Sequence, residues 1–434
     1  MTDVLDNSTH NAKHTRKASM KETRKALLFS RGAHGVVGGI TRTTNSLASG
    51  LEKRGWTVAT VHPGGERLIL NVNSRRADVI EVAYPNLRIS RGWFTSLRRA
   101  IRTALEIDAL IAHTRPDVIV AIYVDLAILY PLIIGRIRKI PVIVSARGSD
   151  VHQATQSLRR RVFWTVCLLF ATSATVKSDS MREDIRRITL GHFSDDKLHS
   201  VLDGVDSTYW SSTTYTRGTD EPTLLAVGVL RHVKGFDLLI EALALLSNDG
   251  VRPKTLVIGE GDHRQELEQL VRNRGLTGAI EFMGYQTAEQ LREAYRQSSL
   301  FVLSSRNEGG ANVLLEALAC GLPAVSTDVG TSAEVIQPEA GLVVPAGDPV
   351  ALAEGIKIML ERLKLPGDEL EARLAARRAA EAVDWEDSVD EYEALMLEAM
   401  HRRHRGRRLG LRRRPRSSSG GRCTRPEGTH DAER

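Results

Sequence analysis

Residues 304–330 read SSRNEGGANVLLEALACGLPAVSTDVG. Phe301, Val302 and Leu303 end an apolar strand just before this stretch, and the glycines of the loop 307–310 let backbone approach a ligand. Ala311 or Asn312 then opens a helix whose first N–H groups have no partner within the helix, an arrangement that binds phosphate. Glu308 lies in the loop and Glu316 eight positions later in the helix, so both carboxylates can reach one ligand from adjacent levels. A carboxylate accepts two hydroxyl hydrogen bonds at once, which suits a sugar or a ribose diol. For either glutamate alone, compensation of the helix dipole is an equally physical role.

The same strand, loop and helix step recurs outward in both directions. ALLFS (26–30), WTVATV (56–61), DVIEVA (78–83), DVIVAIY (117–123) and PVIVSA (141–146) are short apolar strands, with helical spacing between several of them and across 40–54. Polar, turn-rich sequence at 207–222 interrupts the alternation, which restarts with TLLAVG at 223–228 and continues in strands near 254–259, 279–283, 299–303, 323–327 and 341–344. The pattern predicts an α/β protein of two facing Rossmann-like, doubly wound domains. Ligands of such sheets bind beyond the carboxyl ends of the strands, so the cleft between the domains is the expected site. The expected organisation is a disordered leader over 1–24, a first domain over 25–208, a linker over 209–221, a second domain over 222–380, a C-terminal helix over 381–400 that packs back, and a basic disordered tail over 401–434. Trp385, Val389, Tyr392 and Leu395 form one apolar face of that helix.

Composition excludes several classes. At 434 residues, 42% apolar and 26% charged, the chain exceeds one core and is not disordered as a whole. The formal charge of +7 is local: residues 401–434 hold 12 Arg against 3 acids, leaving the rest at −2, which argues against a nucleic-acid-binding fold. Cys167, Cys320 and Cys423 are too far apart for a disulfide framework or a zinc site and fit a reducing cytoplasm. Residues 1–25 lack the apolar core of a signal peptide. The apolar run at 118–135 contains Asp125 and Pro131 and reads as a buried strand followed by a helix, not a membrane span.

The Glu308 to Glu316 spacing followed by EALACGLPAVSTDVG resembles the donor-site signature of family-4-type retaining glycosyltransferases of the GT-B fold. The likeness extends over roughly residues 25–400. It implies that Glu308 contacts hydroxyls of the transferred sugar, that Glu316 binds the ribose, and that Gly309, Gly310 and the amides of Asn312, Val313 and Leu314 hold the diphosphate. In VGVLRHVKGFDLLIEAL (227–243), Lys234 matches the family's register as a cation for the departing diphosphate, and two fixed cations can replace a metal ion. The family's arginine position is Val229 here, so Arg231 stands as a substitute. Gly38 and Gly39 resemble the glycine loop that approaches the donor phosphate, although loop flexibility also selects glycines.

SARGSDVH (145–152) carries Arg147 where many relatives have histidine, while Asp150 matches the family's Gly-Ser-Asp run. Asp150 either takes a proton from an acceptor hydroxyl, with His152 as a local alternative, or caps a helix. VLDGVD (201–206) resembles the family's inter-domain turn, a hinge without chemistry, and Tyr285 borders the nucleobase or packs in the core.

The resemblance thus implies a cytoplasmic, metal-independent glycosyltransferase with no cofactor. It would use a nucleotide sugar as donor and a glycan or lipid-linked acceptor, a surface polysaccharide precursor for instance. Basic, partly apolar stretches at 89–102 and 157–170 suggest peripheral contact with an anionic membrane at its inner face, with no role for nucleic acid. A nucleotide-sugar epimerase of similar shape and a non-catalytic nucleotide-sugar binder are the alternatives.

Overall fold

The structure is a computed structural model and describes residues 23–30, 39–63, 69–70, 78–82, 93–211 and 221–411. Expectations for the leader up to residue 22, for Gly38 and for the tail beyond 411 fall outside these residues. The first sheet comprises β1 (Lys25–Ser30), β2 (Thr57–Pro63), β3 (Ile69–Leu70), β4 (Asp78–Val82), β5 (Val118–Ile122), β6 (Val142–Ser145), β7 (Ser173–Val176) and β8 (Leu198–Ser200). Its order is β3-β4-β2-β1-β5-β6-β7-β8, parallel except for the β3–β4 pair. The second sheet comprises β9 (Thr223–Val227), β10 (Lys254–Ile258), β11 (Ile280–Gly284), β12 (Leu300–Leu303), β13 (Ala324–Thr327) and β14 (Gly341–Val344), in the order β11-β10-β9-β12-β13-β14.

Both sheets are doubly wound, as the alternation implies. VIVAI in β5 and LFVL in β12 are buried at every position because helices cover both faces, which is why these strands read as apolar runs. In each sheet the order reverses beside its first strand, at β1 and β5 and again at β9 and β12. The crevice at such a reversal is where a ligand finds room between diverging loops. The run at 118–135 divides into β5, a short turn capped by Asp125 and the helix Leu129–Arg138, and no described helix is long and apolar enough to cross a membrane.

Two details differ from the sequence expectation. The second core begins before residue 222, the expected start of the second domain, because Val205 and Trp210 already pack in it, and the Cys320 thiol donates to the Trp210 carbonyl at 3.0 Å. The C-terminal helix runs over Trp385–Leu411, so the tail expected from 401 begins inside a helix. Arginine is a good helix former, and a charge count alone does not locate a helix end. Arg402 reaches Glu398 and Asp196, anchoring this part of the helix to the first domain.

Val389, Tyr392, Leu395 and Met396 of that helix fill one core of the first domain with Leu47, Leu51, Trp56 and Val120. The Tyr392 hydroxyl pairs with Ser145 at 2.8 Å, at the carboxyl end of β6. The chain therefore returns to complete the domain it began with. Met396 is fully buried, so Met396→Ala should destabilise the first domain by about 2–5 kcal/mol through lost contacts and an unfilled cavity. Hydrogen exchange at the core amides of β1 and β5 through a denaturant series measures this; a change below about 0.5 kcal/mol would show that the helix is not part of that core.

Candidate active site

A cavity of about 370 Å³ opens between the carboxyl edges of the two sheets. The second domain supplies most of its wall. Val227 ends β9 and Gly228 and Val229 follow it, Ile258 ends β10 and Gly259 and Glu260 follow it, Tyr285 and Gln286 follow β11, and Glu308 with Gly310 to Val313 follow β12. Gly39, Ile40, Arg42, Arg147 and Lys177 come from the first domain.

The loop after β12 has the expected form. Its helix, Asn312–Ala319, opens at Ala311 without a side-chain cap, so its start is free for a ligand. The Leu314 amide already donates to the Ala311 carbonyl at 2.9 Å, and Leu314 is buried. Leu314 is therefore withdrawn from the expected phosphate contacts, while Asn312 and Val313 remain at the cavity wall. Gly39 lies across the cleft, where an added Cβ would sit 3.6 Å from the side-chain Nδ2 of Asn312. Lys234 closes the turn His232–Lys234, and its ammonium pairs with Glu308, which also accepts from the Ser305 hydroxyl at 2.8 Å. Residues 74 positions apart in the chain thus form one polar unit.

Three expected residues stand elsewhere. Arg231 is exposed and does not line the cavity; Val229 occupies the wall at the position that the resemblance gives to arginine. Asp150 is buried, and its carboxylate accepts the backbone N–H groups of Val124, Arg147 and Val151 at 2.9–3.0 Å. Burial raises its pKa against those three bonds. Both oxygens are occupied in joining the loop after β5 to the helix Ser149–Thr155, so the structure gives Asp150 a bracing place in the fold and not the place of a base. Glu316 is also buried and lies behind Arg42, which donates to Oε1 while the Tyr295 hydroxyl donates to Oε2 at 3.3 Å. Burial raises the Glu316 pKa against the pull of Arg42.

Arg42, Lys177, Asp203 and Tyr295 were not singled out as site residues in the sequence. Asp203, in the turn read as a hinge, is buried between Arg147 and Lys177. Burial alone would raise its pKa, yet the two cations hold it below the usual carboxylate value. His152 contacts Asn307 across the cleft at 3.3 Å. Beside it the domains meet backbone to backbone. Gly148 has φ +100°, and a Cβ on Gly309 would stand 2.1 Å from the Arg147 carbonyl oxygen. Among the described residues no group of three or more His, Cys, Asp or Glu is arranged to hold a metal ion.

Two family descriptions match this pair of domains: Glycosyl transferases group 1 over residues 213–378 and Glycosyl transferase 4-like domain over residues 38–199. The chain belongs to this family of GT-B glycosyltransferases. A D-inositol 3-phosphate glycosyltransferase from Geodermatophilus obscurus is 35% identical over 181 residues, covering 39% of this chain and 39% of that protein. Glycogen synthase from Mycobacterium tuberculosis is 25% identical over 380 residues, or 81% of this chain and 89% of that one. The matches to the first three curated relatives span 39%, 44% and 48% of those proteins. A glycosyltransferase structure from Rickettsia africae has a TM-score of 0.70 at 17% identity, over 87% of this chain and 99% of that one. HepE of Anabaena, in complex with UDP and glucose, has a TM-score of 0.69 at 16% identity, over 87% of this chain and all of that one. These structures share the fold.

The glycine contact yields a test of how the domains close. Gly309→Ala should leave each domain folded, because position 309 needs no positive φ, but should force the loops apart by about an ångström or more to relieve a contact that real Cβ atoms do not make. Spin labels placed on the two domains should report a longer mean distance in the variant; an unchanged distance would show that the contact does not set closure.

Proposed function

We propose that this chain is a metal-independent retaining glycosyltransferase that moves a sugar from a nucleoside-diphosphate donor to an acceptor hydroxyl. The observation that carries the reading is that Lys234, Glu308 and the free helix start at Asn312 and Val313 line a single cavity between the two domains. The apolar wall of Val229 and Ile258 with Tyr285 suits a nucleobase. The helix start and Lys234 suit the diphosphate, whose growing negative charge they would stabilise as the glycosidic bond breaks. Glu308 orients Lys234 and would accept hydroxyl hydrogen bonds from the sugar. For Glu316 to accept the ribose diol, the Arg42 guanidinium must give way, which couples donor entry to an inter-domain ion pair.

Same-face attack through an oxocarbenium-like state needs no protein nucleophile. With Asp150 enclosed in backbone bonds, the departing phosphate oxygen would take the acceptor's proton as the glycosidic bond breaks. An epimerase would need none of this arrangement for an acceptor, and the family assignment gives it no support.

The acceptor reading is a glycan or lipid-linked precursor on the cytoplasmic side of a membrane. It is supported by the first domain's outer helices. Leu158, Val162, Val166 and Leu169 are exposed on the helix Leu158–Phe170, and Ile133 and Ile137 on its neighbour Leu129–Arg138. Arginines at 136, 159, 160 and 161 lie among them, a mixture that suits an anionic membrane surface.

Nucleoside diphosphate release from a panel of nucleotide sugars, with and without lipid extract, tests the activity; no release from any donor under either condition would refute it. Glu316→Gln should weaken nucleotide binding, whereas Glu308→Gln should spare it and depress transfer. Calorimetric titration separates them, and equal losses of nucleotide affinity would overturn the two assignments. Transfer should survive EDTA, while Lys234→Ala should lower turnover by about 100-fold, as for removal of one group that stabilises a developing anion. Activity abolished by EDTA and restored by magnesium, with a nearly normal Lys234→Ala enzyme, would overturn the metal-free mechanism.

A further inference from the structure

Facing the phosphate loop, the first domain places a second polar group at the cavity wall. Arg147 leaves the end of β6, Lys177 follows β7, and Asp203 lies in the turn leading to the second domain. Arg147 Nη2 donates to Asp203 Oδ2 at 2.6 Å and to the Thr43 hydroxyl, and the Lys177 ammonium donates to the same Asp203 oxygen. Both cations are more than nine-tenths buried, and both line the cavity. A Cβ on Gly310 would lie 3.3 Å from the Lys177 nitrogen, so this group stands directly against the loop that precedes Asn312.

The donors of this cluster exceed its acceptors. Arg147 Nε and Nη1, with three N–H groups between them, are buried with no hydrogen-bond partner among the described residues, and the one idle acceptor of the cluster is Asp203 Oδ1. Asp150 is close enough to offset some positive charge, but its oxygens are taken by three backbone N–H groups. A buried guanidinium with two idle nitrogens is costly unless something accepts from it. Burial and the neighbouring Arg147 also push the Lys177 pKa down to about 8, against the pull of Asp203, which marks the crowding of two cations around one shared carboxylate oxygen. An oxyanion entering from the cavity would answer both.

We propose that Arg147 and Lys177 form an oxyanion subsite for a carboxylate or phosphate of the substrate other than the donor diphosphate. Bidentate geometry suits the guanidinium fork to either group. Two sources share this chemistry: an acidic transferred sugar, or an acceptor bearing a phosphate near its reacting hydroxyl. The inference rests on the glycosyltransferase reading and narrows its substrate class to anionic ones.

The test compares wild type with Lys177→Met and Arg147→Lys, all first shown to melt cooperatively. Calorimetry uses UDP and GDP, then two donor pairs that differ only in oxidation at C6: UDP-glucose against UDP-glucuronate, and GDP-mannose against GDP-mannuronate. Inorganic phosphate is titrated into the nucleoside diphosphate complex as the acceptor arm. An acidic sugar predicts that the acidic donor binds about tenfold or more tightly than its neutral twin; a phosphorylated acceptor predicts no such preference but binding of inorganic phosphate to the complex. In either case Lys177→Met should lose about tenfold of that binding while affinity for the plain nucleoside diphosphate changes less than about threefold, and Arg147→Lys should retain part of it. Absence of both effects in a wild type that binds UDP or GDP would overturn this inference alone. A parallel loss of nucleoside diphosphate affinity in the variants would instead assign the pair to the diphosphate. No binding of any nucleoside diphosphate, ADP and dTDP included, by folded wild type would remove the glycosyltransferase reading and this inference together.

Discussion

The chain passes between its two domains twice at one place, and the rest of the arrangement depends on that double crossing. Outward it runs through Asp203 to Val205; on return it runs through Val383 to Trp385. The two passages pair as a β-bridge at Val205 and Asp384, with the Val205 amide donating to Val383 and the Trp385 amide to Val205. Gly204 is pressed so closely on the backbone of residues 384–385 that a Cβ there would stand 2.5 Å from it. Ser207 and Ser388 add side-chain bonds to Asp384 and to the Leu202 carbonyl. A joint of this kind limits the domains to rotation about one short axis. It therefore keeps the two carboxyl edges facing each other.

Along the cleft, each domain's polar groups come to rest against the other domain. Arg42 reaches Glu316, His152 reaches Asn307, and Lys177 stands against Gly310. The inner surface of the cleft thus carries charges that are already partly neutralised within the protein. A ligand entering there exchanges partners instead of meeting bare ions, so part of its attraction is offset by the internal pairs it must break. Specificity then depends on which of these pairs the ligand can displace.

Much of the second domain's site could be read from sequence because its parts are local. The loop, the helix start and Glu308 lie within a few residues of one another, and Lys234 sits in a neighbouring strand–helix loop of the same kind. The first domain's part was harder to read because its partners are distant in the chain. Arg147, Lys177 and Asp203 come from three different strand ends, and the Arg42 pair with Glu316 spans 274 positions. For Asp150 the sequence leaves base and cap open, because one of its three backbone partners, Val124, lies 26 positions away. β7 and β8 escaped notice for a simpler reason: SATV and LHS are too short and too polar to stand out from periodicity.

The helix Trp385–Leu411 has a consequence for biosynthesis. Met396 and its neighbours, which complete one core of the first domain, are made after the whole of the second sheet, while β1 is made before it. At about 5–20 residues per second, the interval between the synthesis of Val205 and that of Met396 is roughly 10–40 s. During that interval Leu47, Leu51, Trp56 and Val120 lack their covering face, although the second domain can already assemble around its own two cores. The nascent chain thus holds a half-built first domain beside a finished second one, and for that interval the apolar face around Leu47 and Trp56 is open to other chains.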